Sequence, residues 1–163
     1  ICSLLKMTSP KAKTEFTIRA ANPQDVGDLL NLIQELALFE RAPNEVTNTS
    51  KRMLEDGFGD KPIFDAFVAE LNGKVIGAAI TYFRYSTWKG RCLYLEDLII
   101  TEEHRGKGAG KLLFEKCIAF GKETNCTKMI WQVLDWNTPA IDFYKTYNAD
   151  LDGEWINGSL DLT

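Results

Sequence analysis

The sequence predicts an α/β fold: one domain built on a mixed sheet, in which an antiparallel meander gives way to strand–helix alternation. Three observations predict it. Strand-like runs follow one another from Asp65 to Thr101 with only turns between them. After that point amphipathic helices separate the strands. The length of 163 residues, 45% apolar and 26% charged, is that of one ordinary globular domain. Such a composition excludes disordered, collagen-like and coiled-coil chains. The apolar run Val75–Phe83 is far shorter than the roughly 20 residues a bilayer requires, so no membrane partner is expected.

Residues 1–15 match no element and are expected to be a disordered extension, a poor signal peptide, with Met7 as an alternative start; the domain is assigned to 16–163. Phe16 to Arg19 alternates as a short strand. Asn22-Pro23 opens a helix, with Asn22 as cap and Pro23 at the first position. Val26, Leu29, Leu30, Ile33, Leu36 and Ala37 then form its apolar face. A shorter helix, Thr49 to Asp56, is expected to stop at Gly57. Asp65–Leu71 and Val75–Phe83 are strands joined by the Asn72-Gly73 hairpin turn. Arg91 to Thr101 is a third strand. Gly108 to Thr124 is a helix carrying Leu112, Leu113, Cys117, Ile118 and Phe120. Lys128 to Leu134 is a strand, Pro139 to Tyr147 a helix begun by Asn137 and Thr138, and Glu154 to Leu162 a last strand.

The charge balance, 19 basic against 23 acidic residues, gives net −4. A whole-surface nucleic-acid binder is usually basic, so no nucleic-acid partner is expected. The single histidine, His104, excludes sites needing two imidazoles; it is read as a surface residue, and no metal is expected. Cys2, Cys92, Cys117 and Cys126 form no CxxC pair, which suits reduced thiols and a cytoplasmic location.

The sharpest chemical signal is RGKGAG, Arg105 to Gly110, between an apolar strand and an amphipathic helix. Glycines leave backbone N–H groups uncovered, and the helix N-terminus adds partial positive charge. The turn therefore suits an anion such as a pyrophosphate. Arg105, Lys107 and Lys111 add formal charge. A plain tight turn with glycines for close packing would look the same. The P-loop ending G-K-[ST] fails because Leu112 follows Lys111, and the spacing G-x-G-x-x-G fails as well.

The pattern [RQ]-x-x-G-x-[GA], met by Arg105, Gly108 and Gly110, resembles the acetyl-CoA turn of the GCN5-related N-acetyltransferases. ELALFE (Glu35–Glu40), LEDGFG (Leu54–Gly59), STWKGR (Ser86–Arg91), YLED (Tyr94–Asp97), LDWN (Leu134–Asn137) and FYK (Phe143–Lys145) accompany it in order. Together they resemble the diamine acetyltransferases, which include spermidine/spermine and thialysine N-acetyltransferases. The resemblance implies splayed central parallel strands, acetyl-CoA as co-substrate, a homodimer and a small cationic amine as acceptor.

An alkylammonium, with a pKa near 10.4, must lose a proton before it attacks a thioester. Glu96 and Asp97 are adjacent on a strand, so alternation predicts that only one faces the site. The resemblance implies Glu96 as general base through water, with Asp97 near the amine. It implies Tyr144 as the acid that protonates the departing thiolate; by spacing alone, packing with Phe143 and Tyr147 is the plainer reading. It also implies co-substrate contacts from the backbone of Leu98, Ile99 and Ile100, from Arg105, Gly106, Lys107, Gly108, Ala109, Gly110 and Lys111, and from Asn137, Ala140 and Tyr144. Asn137 suits a helix cap equally well.

Carboxylates and an aromatic wall should recognise the acceptor: Glu40, Glu96, Asp97, Glu154 and Trp88. Ordinary surface charge is the alternative for Glu40 and Glu154. Trp131 and Trp136 are read as packing residues. Ser86 stands where spermidine-type members carry an acid, which leans towards a shorter acceptor such as thialysine, ornithine, lysine or a simple diamine. Ala140 stands where a serine contacts the co-substrate. The tail after Tyr147 resembles the bacterial and plant branches, and the family's last strand contributes to its dimer. No cysteine or serine is placed as an acetyl carrier, so direct attack in a ternary complex is expected. Two alternatives stand beside this: a CoA-binding module without efficient catalysis, and an acetyltransferase of peptide or protein amines.

Overall fold

The structure, a computed structural model, describes residues 15–162; the extension expected at 1–15 lies outside the described residues apart from Glu15. The chain falls into two compact units, one through Trp131 and one from Gln132 onward.

The first unit is a five-stranded sheet in the order β1-β2-β3-β4-β5. These strands are β1 (Thr17–Ala20), β2 (Asp65–Leu71), β3 (Lys74–Ser86), β4 (Gly90–Ile100) and β5 (Lys128–Ile130). β1 to β4 are antiparallel neighbours, and β5 adds parallel to β4. The Asn72-Gly73 turn has φ of 51° and 77°, the doubly positive backbone that a two-residue hairpin requires.

Helix α1 (Val26–Phe39) follows a short turn, Pro23–Asp25, with a complete capping box between Asn22 and Asp25. Helix α2 (Ser50–Phe58) is capped by the Thr49 hydroxyl. It does not stop at Gly57 as expected. It continues through that glycine to end at Gly59, where an added Cβ would lie 2.5 Å from the Glu55 carbonyl oxygen. Val26, Leu29 and Leu32 of α1 and Met53 of α2 pack on Ala66, Val68, Ala78, Ile80 and Ile99. That set covers one face of the sheet. Helix α3 (Ala109–Glu123) covers the other: Leu113, Phe114 and Cys117 are buried, and Phe120 meets Phe67 edge-on at 5.3 Å.

The second unit holds α4 (Thr138–Lys145), whose N-terminus is capped by Asn137. Two expected strands differ. β5 spans Lys128–Ile130 only, since the chain enters a turn in which the Asn137 N–H donates to the Leu134 carbonyl. The strand expected over Glu154–Leu162 does not form. Alternating side chains make a strand only where a neighbouring ladder accepts them, and no strand pairs with this segment among the described residues. Trp155, Ile156, Leu160 and Leu162 are exposed, and Gln132 Nε2 donates to Asn157 Oδ1 at 2.6 Å.

Candidate active site

The Gly-rich turn has the geometry of an anion cradle. Gly106 and Gly108 have φ of 72° and 99°, a left-handed backbone that side chains rarely adopt. Their missing Cβ atoms would meet nothing within 4 Å, so both positions border open space. Gly108 is the N-cap of α3 and supplies no side-chain cap, which leaves the N–H groups of the first turn for an anion. This fits the pyrophosphate of acetyl-CoA.

The cations around the turn have other partners too. Arg105 Nε donates to the Ile100 carbonyl at 2.9 Å, Lys107 Nζ to the Glu103 carbonyl at 2.8 Å, and Lys111 pairs loosely with Glu115 at 3.9 Å. Upstream of the turn, β4 pairs with β5 only from Cys92 to Tyr94, so Leu98, Ile99 and Ile100 run on past the end of their parallel neighbour.

The decisive feature of β4 is a bulge. Thr81 pairs with Leu95 and Ile80 with Asp97, leaving Glu96 as an extra residue. The bulge overturns the alternation that predicts opposite faces for Glu96 and Asp97. Tyr94, Asp97 and Ile99 pair with Tyr82, Ile80 and Ala78, so all three share the face covered by α1. Glu96 lies close enough to raise the pKa of Asp97, Tyr82 and Tyr94 together.

Asp97 is half-buried, and its carboxyl is pushed up to about 7, first by burial, then by the charges of Glu96 and Glu40. Glu40 is the C-cap of α1, and desolvation raises its carboxyl as well. Glu96 and Glu40 thus both bear on Asp97, as like charges do when the group they face is partly desolvated.

Sequence reasoning missed the aromatic part of this site. The rings of Tyr82 and Tyr94 lie 5.1 Å apart, the charge of Glu96 bears on both phenols, and the Arg84 guanidinium lies 5.7 Å from the centre of the Tyr94 ring. The signal was the cross-strand pairing of the two tyrosines, which depends on a register the sequence does not state.

Trp88 is not brought to this group within the chain. It is 90% exposed at the β3–β4 turn, and the six steps along the strand from Gly90 to Glu96 put it about 20 Å from the carboxylates. Ser86 belongs to that turn, where its hydroxyl accepts the N–H groups of Trp88 and Lys89.

His104 is also corrected. Its side chain is only 16% exposed, and Nδ1 hydrogen-bonds the Thr101 hydroxyl at 2.9 Å, so it fastens the loop rather than facing solvent.

In the second unit, Tyr144 is buried on α4 with the Phe143 ring 5.3 Å away. Asn137 Oδ1 accepts the Ala140 N–H at 3.3 Å, which confirms the helix-cap reading of Asn137. Glu154 sits in the exposed tail, its N–H donating to Asp152. Among the described residues no group of acidic, histidine or cysteine side chains could hold a metal ion, and no helix is long and apolar enough to cross a membrane.

Comparison with known proteins agrees with this geometry. The acetyltransferase (GNAT) family model matches residues 29–148. Thialysine N-epsilon-acetyltransferase of Bos taurus is 38% identical over 140 residues, 81% of this chain and 82% of the relative. L-ornithine N5-acetyltransferase NATA1 of Arabidopsis thaliana is 25% identical over 91% of this chain and 86% of its own length. A solved aminoglycoside acetyltransferase from a soil metagenome, 19% identical, superposes with a TM-score of 0.75 over 91% of this chain and 97% of its own, a likeness of fold. On the family model and these identities, the chain belongs to the acetyltransferase (GNAT) family and is an enzyme of the N-acetyltransferase class.

Proposed function

We propose that this enzyme transfers the acetyl group of acetyl-CoA to a primary amine of a small cationic acceptor of the thialysine, ornithine or lysine kind, in a ternary complex. The observation that carries the reading is the bulge at Glu96, which gathers two carboxylates beside a tyrosine pair and within the field of Glu40.

The anions attract the ammonium groups, and the faces of Tyr82 and Tyr94 suit the methylenes and cationic ends of the acceptor. The attacking nitrogen must be neutral. Asp97, poised near 7, takes up a proton at physiological pH more readily than an ordinary carboxylate, and so suits the base, with Glu96 beside it. The turn from Arg105 to Lys111 holds the pyrophosphate, and the backbone from Leu98 to Ile100 pairs with the pantetheine arm like an added strand. Tyr144 keeps the role its FYK motif implies, donating a proton to the departing thiolate. Phenols, which ordinarily titrate near 10, are workable donors to a thiolate whose acid lies near 8.5. A homodimer and a cytoplasmic location remain part of this reading, resting on the resemblance and on cysteine usage.

The test is thiol release from acetyl-CoA with thialysine, ornithine, lysine, putrescine, spermidine, spermine and a lysine-containing peptide. Turnover with a small diamino compound, abolished by Asp97→Asn, is expected. Faster turnover of the peptide would redirect the reading to protein amines. CoA binding without thiol release on any acceptor would reduce the protein to a binding module.

A further inference from the structure

Glu35 lies in α1, distant in sequence from the co-substrate turn, yet its carboxylate reaches that turn. Its Oε1 accepts the Glu102 N–H at 2.9 Å and stands 3.8 Å from the Arg105 guanidinium. Arg105 is held from two further sides: its Nε donates to the Ile100 carbonyl at 2.9 Å, and its guanidinium lies 4.9 Å from the centre of the Phe39 ring. Phe39 is one helical turn beyond Glu35, so both project from the same face of α1. The next residue is Glu40, whose charge acts on Asp97.

The last turn of α1 therefore touches both halves of the site. Through Glu35 and Phe39 it grips the guanidinium at the start of the Gly-rich turn, and through Glu40 it adds negative charge near Asp97. The geometry points to Glu35 as a positioning residue that clasps the co-substrate turn to the helix carrying the acceptor's anion, so that acetyl-CoA and the amine each strengthen the binding of the other. An anion in the turn finds Arg105 already oriented, and an Arg105 held by the anion in turn fixes the end of α1. Linkage then requires the amine to improve CoA affinity by the same factor as CoA improves the amine's. This rests on the anion-binding role of the turn and on the acceptor role of Glu40.

The test compares wild type with Glu35→Ala and Glu35→Gln. CoA binding is measured by calorimetry with and without thialysine, and steady-state kinetics are measured with thialysine. The expected wild-type result is a several-fold gain in CoA affinity when thialysine is present. E35A should weaken CoA binding about 5- to 10-fold, remove most of that gain and raise both KM values, while kcat at saturation stays within about twofold. E35Q keeps an oxygen for the Glu102 N–H and should recover about half of the loss. Unchanged CoA affinity and coupling in E35A would overturn the inference, as would a fall in kcat with both KM values intact. If E35A does not fold, E35Q decides: wild-type coupling in E35Q overturns the role of the charge on Arg105. If wild type fails to acetylate thialysine while the variants still weaken CoA, the acceptor assignment falls and the clasp on the turn stands.

Discussion

Replacing Glu40 by Gln should shift the pH dependence of catalysis without touching the strand that carries the base. Asp97 rises from an ordinary 3.8 to about 7. That gap of about 3 pH units corresponds to roughly 4 kcal/mol favouring the protonated form. Burial contributes most, Glu96 next and Glu40 least of the three. The smallest of three contributions that act in one direction cannot exceed a third, so Glu40 accounts for less than about one pH unit. A base works when deprotonated, so kcat/KM for the acceptor should rise as pH increases through about 7 in wild type. Removing a nearby negative charge makes deprotonation easier, so E40Q should move this acid limb to lower pH by somewhat under one unit. Glu96→Gln should move it in the same direction by up to about one and a half units, since a second-ranked contribution can reach half of the gap. The assay is thiol release from acetyl-CoA between pH 5 and 9 at subsaturating thialysine. An acid limb that stays in place or rises in E40Q would refute the electrostatic reasoning. A limb near 7 that survives in Asp97→Asn would refute the assignment of the group itself.

Other outcomes follow from the same geometry. Tyr144→Phe should lower turnover far more than acetyl-CoA affinity, and equal losses in the two, compared by single-turnover kinetics and calorimetry, would remove the acid role. Gly108→Ala places a side chain at a φ of 99° and should lower stability by about 1–2 kcal/mol while raising the KM for acetyl-CoA, both readable from urea titrations and kinetics. Trp88→Ala should leave kcat/KM for small diamines within about twofold under initial-rate conditions, because in one chain it lies about 20 Å from the carboxylates. Asp25 forms a bidentate pair with Arg19 at 2.7 and 2.8 Å, and this holds its carboxyl below the usual range. A depressed carboxyl contributes stability above its unfolded pKa and loses it as pH falls through the folded one. Asp25→Asn should therefore destabilise at pH 7 by about 1–3 kcal/mol and progressively less as pH falls below the unfolded carboxylate range near 3.9, as followed by thermal unfolding.

Local chemistry was legible in the sequence and long-range pairing was not. Asn22, Thr49 and Asn137 cap helices as their residue types suggest, because a cap is satisfied within three or four residues. Asn72-Gly73 and the glycines at 106 and 108 were readable for the same reason: positive φ selects residue type locally. The faces of Glu96 and Asp97 were misjudged because a bulge is a property of two paired strands. The pairing of Tyr82 with Tyr94, the hairpin-tip position of Trp88 and the reach of Glu35 to Arg105 all depend on register or packing as well. The segment Glu154–Leu162 carries strand-like residues, but a strand also needs a neighbour, which no local pattern supplies.

The bulge also has a meaning for insertion and deletion. On either side of Glu96 the β3–β4 ladder is in regular register, Thr81 with Leu95 and Ile80 with Asp97. Deleting that one residue would join the two halves without slipping either of them, and every buried side chain would keep its neighbours. The sheet would be whole and better regular, yet the chemistry at its end would lose the extra carboxylate and the local twist that presents the other. In length, then, an ordinary antiparallel ladder and the carboxylate pair proposed to serve the amine differ here by a single codon.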